Sequence, residues 1–273
     1  MTGYLWTGDN DTLRRKGIKQ DPCDISIIGA AVDVPKANTL DQFWDVLLSG
    51  KNTITEFDNK SVANARQVNL SHVLSGLELF DYRLFGMSKS EADLLDPQLR
   101  LSLKCAWRAL ESAGVDPDRY NGRIGCYTSV GSSHYLLNIL SCAEKIHNQK
   151  LMQFGNDNTF NATHIAYRLN LKGQSNTVQS ACSSSLVSVN VAINALLADQ
   201  IDMALVVASS VSKHHGKPYE YTEGGILSKR GRCAPFDSSS DGTVSGSGAV
   251  SVLLQKKELA AEEKRNVLAT INS

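Results

Sequence analysis

VQSACSSSLVSVNVAINALL, residues 178–197, places Cys182 between a short run that suits a strand and a serine triplet that leads into an apolar run. This pattern predicts a strand over residues 176–181, a sharp turn, and a helix over residues 183–198 that begins at the cysteine. A thiol at a helix start faces unpaired N–H groups and the positive end of the helix dipole, which favours negative charge on its sulfur. The same N–H groups can hold the oxyanion of a tetrahedral intermediate. A lone free cysteine is more often merely buried, but this setting makes Cys182 the candidate nucleophile for acyl transfer.

Strands and helices alternate on both sides of this stretch, which predicts an α/β layered domain. Residues 202–211 form a continuous apolar run that is typical of a buried parallel strand. Thr39 is placed to cap one helix, and Asp96-Pro97 opens another. Further strands are predicted over residues 24–32, 123–129, 248–255 and 267–272, and helices over residues 40–49, 88–95, 97–113, 133–150, 157–169 and 257–264.

The composition excludes several classes of function. The chain has 273 residues, of which 42% are hydrophobic, and its 28 basic and 28 acidic residues give a formal net charge of zero. That balance argues against nucleic acid or an anionic membrane surface as a partner. The apolar runs are too short to span a bilayer, and the first residues lack the pattern of a signal peptide. We therefore expect a cytoplasmic protein.

The cysteines and histidines show no metal-binding or redox spacing. None of the 6 cysteines forms a CxxC pair, so neither a zinc site nor a redox pair is expected, and free thiols fit best. His214 and His215 are adjacent, but nothing in the sequence supplies further ligands at metal spacing. Residues 1–22 are polar with a small basic cluster and are interpreted as a leader or docking segment, which leaves residues 23–273 as the domain.

Several blocks, in order, resemble one known family. DISIIGAAVDVPKANTLDQFWDVLLSGKNTI, residues 24–54, and FDYRLFGMSKSEADLLDPQLRLSLKCAWRALESAGVDP, residues 80–117, are followed by the block around Cys182 and by GGILSKRGRCAPFDSSSDGTVSGSGAVSVLL, residues 224–254. Together they resemble the amino-terminal half of a β-ketoacyl synthase (ketosynthase) of modular polyketide synthases. The resemblance implies a thiolase-like α-β-α-β-α fold built from two related halves, here the first half with its helical insertions. It also implies a two-fold dimer, or a pseudo-dimer, in which the strand at residues 176–181 lies near the axis.

The resemblance further implies a reaction. Cys182 accepts an acyl chain from the phosphopantetheine of an acyl carrier protein, and a malonyl thioester then loses carbon dioxide and attacks that acyl group. No cofactor is bound by the chain itself. The family's catalytic histidines lie in the second half, whereas this chain ends at Ser273, about where the first half ends. We therefore expect condensation to need a complementary carboxy-terminal half and the chain alone to be inactive in that step.

Three interpretations remain open at this point. The chain is one piece of a split ketosynthase, a non-catalytic docking or scaffold lobe of a synthase, or a fragment of a full-length ketosynthase. The intact ACSSS block, residues 181–185, favours the first or the third, because a scaffold need not keep the cysteine.

Overall fold

A six-stranded mixed sheet runs through the middle of the computed structural model, which describes residues 24–57, 66–141 and 149–272. The strands of the described chain are β1 Ile25–Asp33, β2 Ile54–Glu56, β3 Gln67–Val68, β4 Leu70–His72, β5 Ile124–Val130, β6 Ser175–Thr177, β7 Met203–Ser210, β8 Tyr219–Glu220, β9 Gly248–Lys256 and β10 Ala269–Ile271. The strand order of the large sheet is β10-β1-β9-β7-β5-β6, and two small antiparallel pairs, β2 with β4 and β3 with β8, lie outside it.

The helices begin where the sequence places capping residues. Thr39, Ser88 and Asp96 each accept a hydrogen bond from a backbone N–H in the first turn, and Pro97 is the first residue of its helix. Gly50 ends the first helix in the left-handed conformation. The helices are α1 Leu40–Ser49, α2 Lys89–Leu94, α3 Pro97–Ser112, α4 Tyr135–Leu140, α5 Gln149–Asn156, α6 Asn161–Arg168, α7 Ser184–Leu197 and α8 Lys257–Glu262.

Helices cover both faces of the sheet. α3 packs on β1, β9 and β7, and α6 packs on β5, while α7 packs on β5 and β7 from the opposite face. The strands alternate accordingly, since Leu205 belongs to the core cluster under α3 and its neighbour Val206 to the cluster under α7. The described chain therefore forms three layers, α/β/α, and the predicted α/β layered architecture is confirmed.

Three sequence predictions need correction. The predicted strand at residues 176–181 spans only Ser175–Thr177, because the chain turns away from the sheet before the cysteine. The following helix begins at Ser184 after a short 3₁₀ turn, Ala181–Ser183. β7 is parallel to β5, as predicted, but antiparallel to β9, because an apolar run reports burial on both faces and not strand direction.

Other predictions are confirmed or fall outside the description. The helix expected over residues 133–150 is present as α4 near its start, whereas α5 begins at Gln149, where the predicted helix was expected to end, and residues 142–148 between them lie outside the described ranges. The interpretation of residues 1–22 as a leader also concerns residues outside those ranges.

Candidate functional site

Cys182 lies on a sharp connection between β6 and α7 that is fastened to the neighbouring strand. The Val178 N–H donates to the carbonyl of Thr128 at 2.7 Å, and the Gln179 side-chain amide donates to the carbonyl of Val130 at 2.9 Å. The backbone then reverses at Ala181, which adopts φ +53°, a left-handed conformation that is unfavourable for a residue with a Cβ. Such strain persists only where surrounding contacts hold it, and it is typical of functional turns.

Serine hydroxyls supply those contacts. The Ser184 hydroxyl accepts from the Ser180 N–H and donates to the Ala181 carbonyl, both at 2.8 Å. The Ser183 hydroxyl donates to the Ser180 carbonyl at 2.8 Å, and Ser183 makes no side-chain hydrogen bond to the N–H groups of α7. We call residues 180–184 the elbow. Its serines close the turn and do not cap the helix.

An open cleft lies beside Cys182 at one edge of the sheet. Cys182 is exposed and lines this cleft of about 610 Å³. The cleft lies at the carboxyl ends of the parallel strands β5 and β7, the usual place for a ligand in an open α/β sheet. Its walls include Gly131, Ser132, Ser210 and Gly248. The elbow therefore presents the thiol to a space large enough for a substrate chain.

The other described cysteines differ from Cys182 in exposure or in place. Burial raises the pKa of the Cys105 thiol to about 12 and also raises the pKa of Cys126. Cys233 is exposed but lies on a separate loop, where its sulfur accepts a hydrogen bond from the Val244 N–H at 3.2 Å. Of the cysteines in the described ranges, Cys182 alone lines the cleft.

No histidine of the described ranges lines this cleft, so none of them is placed to act there as a catalytic base or a metal ligand. Among the same residues no cluster of His, Cys, Asp or Glu is arranged to hold a metal ion. No helix of the described chain is both long and apolar enough to cross a bilayer.

Two amide side chains that the sequence analysis did not single out bind residues 131 and 132, which we call the cleft wall. Gln98 Nε2 donates to the carbonyls of Gly131 and Ser132, at 3.2 Å each, and Gln98 Oε1 accepts from the Val211 N–H at 3.1 Å. Asn158 Nδ2 also donates to the Gly131 carbonyl, at 2.9 Å. A polar residue on the apolar face of a helix start is the one sequence signal that could have pointed to Gln98.

Comparison with known proteins gives consistent matches in sequence. A family model described as "Beta-ketoacyl synthase, N-terminal domain" matches residues 23–260. A phenolphthiocerol/phthiocerol polyketide synthase protein of Mycobacterium tuberculosis is 39% identical over 266 residues, which cover 90% of this chain and 18% of that protein. The 3-methylorcinaldehyde synthase of Sarocladium schorii is 30% identical over 266 residues, covering 91% of this chain and 10% of that protein. The chain thus spans less than a fifth of these relatives.

Solved structures match in fold. Ketosynthase twelve of the bacillaene polyketide synthase from Bacillus amyloliquefaciens superposes with a TM-score of 0.82 at 27% identity, covering 90% of this chain and 44% of that one. The oxazolomycin ketosynthase domain OzmH KS7 from Streptomyces albus gives 0.79 at 26% identity, covering 91% and 45%. The described chain therefore has the mixed α/β, thiolase-like fold of these ketosynthases and corresponds to less than half of their length.

Proposed function

Because the chain belongs to the β-ketoacyl synthase family, by the match of the family's N-terminal domain over residues 23–260, we propose that it serves polyketide or fatty acid biosynthesis as a ketosynthase component. Its role is to accept an acyl chain from a carrier protein as a thioester on Cys182. The observation that carries this proposal is the exposed Cys182 thiol, held by a strained elbow at the mouth of an open cleft.

The acyl transfer follows from the position of the thiol. The Cys182 thiolate attacks the carbonyl carbon of the incoming thioester, and a tetrahedral intermediate forms with negative charge on the carbonyl oxygen. The Cys182 N–H and the positive end of α7 favour that charge. The intermediate then collapses: the bond to the phosphopantetheine sulfur breaks, this sulfur leaves as a thiolate and takes up a proton, and the acyl group remains on Cys182.

The condensing step needs more than this chain supplies. Decarboxylation of a malonyl thioester puts negative charge on an enolate oxygen, and the donors that stabilise such a charge must reach the cleft. In the family those donors are histidines of the second half, and the described histidines of this chain do not line the cleft. A complementary carboxy-terminal ketosynthase half is therefore the proposed partner for condensation.

The surface of α7 supports that partner. The helix places Ala192, Ala195 and Leu196 against the sheet, whereas Leu186 on its outer side is 75% exposed. Leu197, at the other end of the same side, is 39% exposed, and large apolar side chains exposed on one side of a helix suit contact with a partner. The complementary half covers the outer side of α7 in this proposal. Co-expression with such a half should raise the soluble yield and the melting temperature. A chain that melts cooperatively as a monodisperse monomer, unchanged by that half, would contradict it.

The free edge of β6 supports self-association. Among the described residues β6 pairs only with β5 and is the last strand of the sheet. An open strand edge can pair with a second copy, so a two-fold dimer through β6 is proposed, with light scattering as its test.

Intact mass spectrometry tests the central proposal. The purified chain incubated with an acyl carrier protein bearing an acyl thioester should gain the mass of that acyl group, and Cys182→Ala should not. Added malonyl carrier protein should yield no β-ketoacyl product from the chain alone. Absence of any acyl adduct on the wild-type chain would refute the acceptor role and favour a scaffold lobe, whereas a condensed product would refute the need for a second half.

A further inference from the structure

The orientation of the Gln98 side-chain amide is determined by its neighbours. Gln98 is the second residue of α3 and is 1% exposed. Its Nε2 lies 3.2 Å from the carbonyl oxygens of Gly131 and Ser132, which only accept, and its Oε1 lies 3.1 Å from the Val211 N–H, which only donates. The two ends of the amide therefore cannot be exchanged. Both hydrogens of the amide group point toward acceptors, and its oxygen points toward the end of β7.

This one amide joins the ends of the two parallel strands beside the cleft. It donates to Gly131 and Ser132, directly after β5, and accepts from Val211, directly after β7. The approach is so close that a Cβ on Gly131 would lie 2.7 Å from Gln98 Oε1. Only glycine allows the backbone to come this near to the amide. The cleft wall, residues 131 and 132, is thus held by this amide on the side away from the cleft.

The elbow is held separately. The residues that lead into it are bound to β5, Gln179 to the Val130 carbonyl and Val178 to the Thr128 carbonyl, and neither of these bonds involves Gln98. Loss of the Gln98 amide should therefore free Ser132 and loosen Gly131, which keeps its bonds to Asn158 and Ser209, while the position of the Cys182 thiol stays the same. The two consequences can be measured apart.

We infer that Gln98 is a positioning residue: it holds the cleft wall in the cleft that Cys182 also lines, and so sets the path of the chain attached to that sulfur. The identity of this chain as an acyl group rests on the proposed function, but the shape of the cleft does not. Gly131, Ser132 and Cys182 line the same cleft, so a displaced wall changes the space next to a bound chain and leaves a small reagent at the sulfur unaffected.

Two alkylating reagents of different length test this inference. Iodoacetamide and N-dodecyl iodoacetamide form the same bond to sulfur, and neither requires acyl transfer. In the wild-type chain, labelling of Cys182 by the long reagent, read by peptide mass spectrometry, should saturate with concentration. Gln98→Leu should raise the half-saturating concentration by about tenfold, since small misplacements in a site are costly, and should leave the iodoacetamide rate unchanged.

Gln255→Leu is the matched control. Gln255 is also fully buried, but it lies toward the other end of β9, about 23 Å along the strand from Gly248 at the cleft. This variant should behave as wild type with both reagents. If Gln98→Leu does not fold, Gln98→Glu carries the same comparison, because it keeps the shape of the side chain and replaces the donating NH₂ by an oxygen.

Three results would overturn the inference: a long-reagent rate in the wild type that never saturates, a Gln98 variant with unchanged saturation, or one that slows both reagents in parallel. The last result would place the effect at the elbow. Failure of carrier-protein acylation with normal alkylation by both reagents would instead refute the proposed function and leave the role of Gln98 standing.

Discussion

Two buried glutamines should respond in opposite directions to the same substitution. Gln98 uses both ends of its side-chain amide, whereas neither amide atom of Gln255 has a hydrogen-bond partner among the described residues. Replacing either with leucine removes the same polar group and adds the same side chain. The change in the unfolded chain is therefore nearly the same, and the difference in the free energy of unfolding reports the folded environment.

The magnitudes follow from the groups left behind. Gln98→Leu leaves the Val211 N–H and the buried Asp96 Oδ2 without the amide, while the Gly131 carbonyl keeps Asn158 and the carbonyl of the exposed Ser132 can bind water. Each buried unpaired group costs about 1–3 kcal/mol, partly offset by the apolar leucine, so we expect a net loss of about 2–4 kcal/mol. Gln255→Leu removes a buried amide that lacks partners, so we expect no loss and a gain of about 1 kcal/mol.

Urea unfolding followed by far-ultraviolet circular dichroism measures both free energies, with the slopes checked to be equal. At roughly 2–4 °C per kcal/mol for a chain of this size, Gln98→Leu should also lower the melting temperature by more than about 5 °C. Equal losses in the two variants would show that the amide contacts of Gln98 are not what stabilises this region. A loss above about 1 kcal/mol for Gln255→Leu would show that its amide is satisfied.

Three further outcomes follow from the elbow and the thiols. Ser184→Ala removes both hydrogen bonds of the Ser184 hydroxyl and should cost about 1–2 kcal/mol of unfolding free energy in denaturant titrations, whereas Ser185→Ala, which loses no such bond, should stay within about 0.5 kcal/mol. Iodoacetamide should label Cys182 in the folded chain well before the buried Cys105 and Cys126, and peptide mapping that found either buried thiol first would contradict the assignment of the nucleophile. Burial raises the pKa of Cys105 and of Cys126, so between pH 8 and pH 10 these thiols lose protons in the unfolded chain first and stability should fall by roughly 3 kcal/mol. Cys126→Ala should remove about half of that fall. An unchanged dependence of the unfolding free energy on pH in this variant would contradict the explanation.

The sequence predicts best the features that depend on neighbours along the chain. The caps Thr39, Ser88 and Asp96 and the helix termini after them act within one turn, so the residues that decide the structure are adjacent in sequence. The resemblance carries the prediction of the fold over most of the chain and of Cys182 as the nucleophile, which stays a prediction until the thiol is tested.

The features that the sequence does not predict depend on distant partners. Gln98 binds carbonyls 33 and 34 residues away and an N–H 113 residues away. Neither helix propensity nor hydrophobic periodicity predicts hydrogen bonds between residues so far apart. From the sequence, Gln98 cannot be distinguished from an ordinary polar residue at a helix start. The direction of β7 relative to β9 also cannot be predicted from the sequence, because a central strand buries the same side chains whether its neighbour runs parallel or antiparallel to it.

The elbow shows how local sequence and strain combine. A left-handed residue usually is glycine, but this turn uses Ala181, at a cost of about 1–2 kcal/mol. The Ser183 and Ser184 hydroxyls return about 1 kcal/mol for each hydrogen bond that they make to residues 180 and 181. These hydrogen bonds within five residues therefore offset the strain, and the bonds of Val178 and Gln179 to β5 hold the connection in place. This explains why serines follow the cysteine: they hold the thiol at the edge of the cleft, and no chemical role in acyl transfer is needed to account for them.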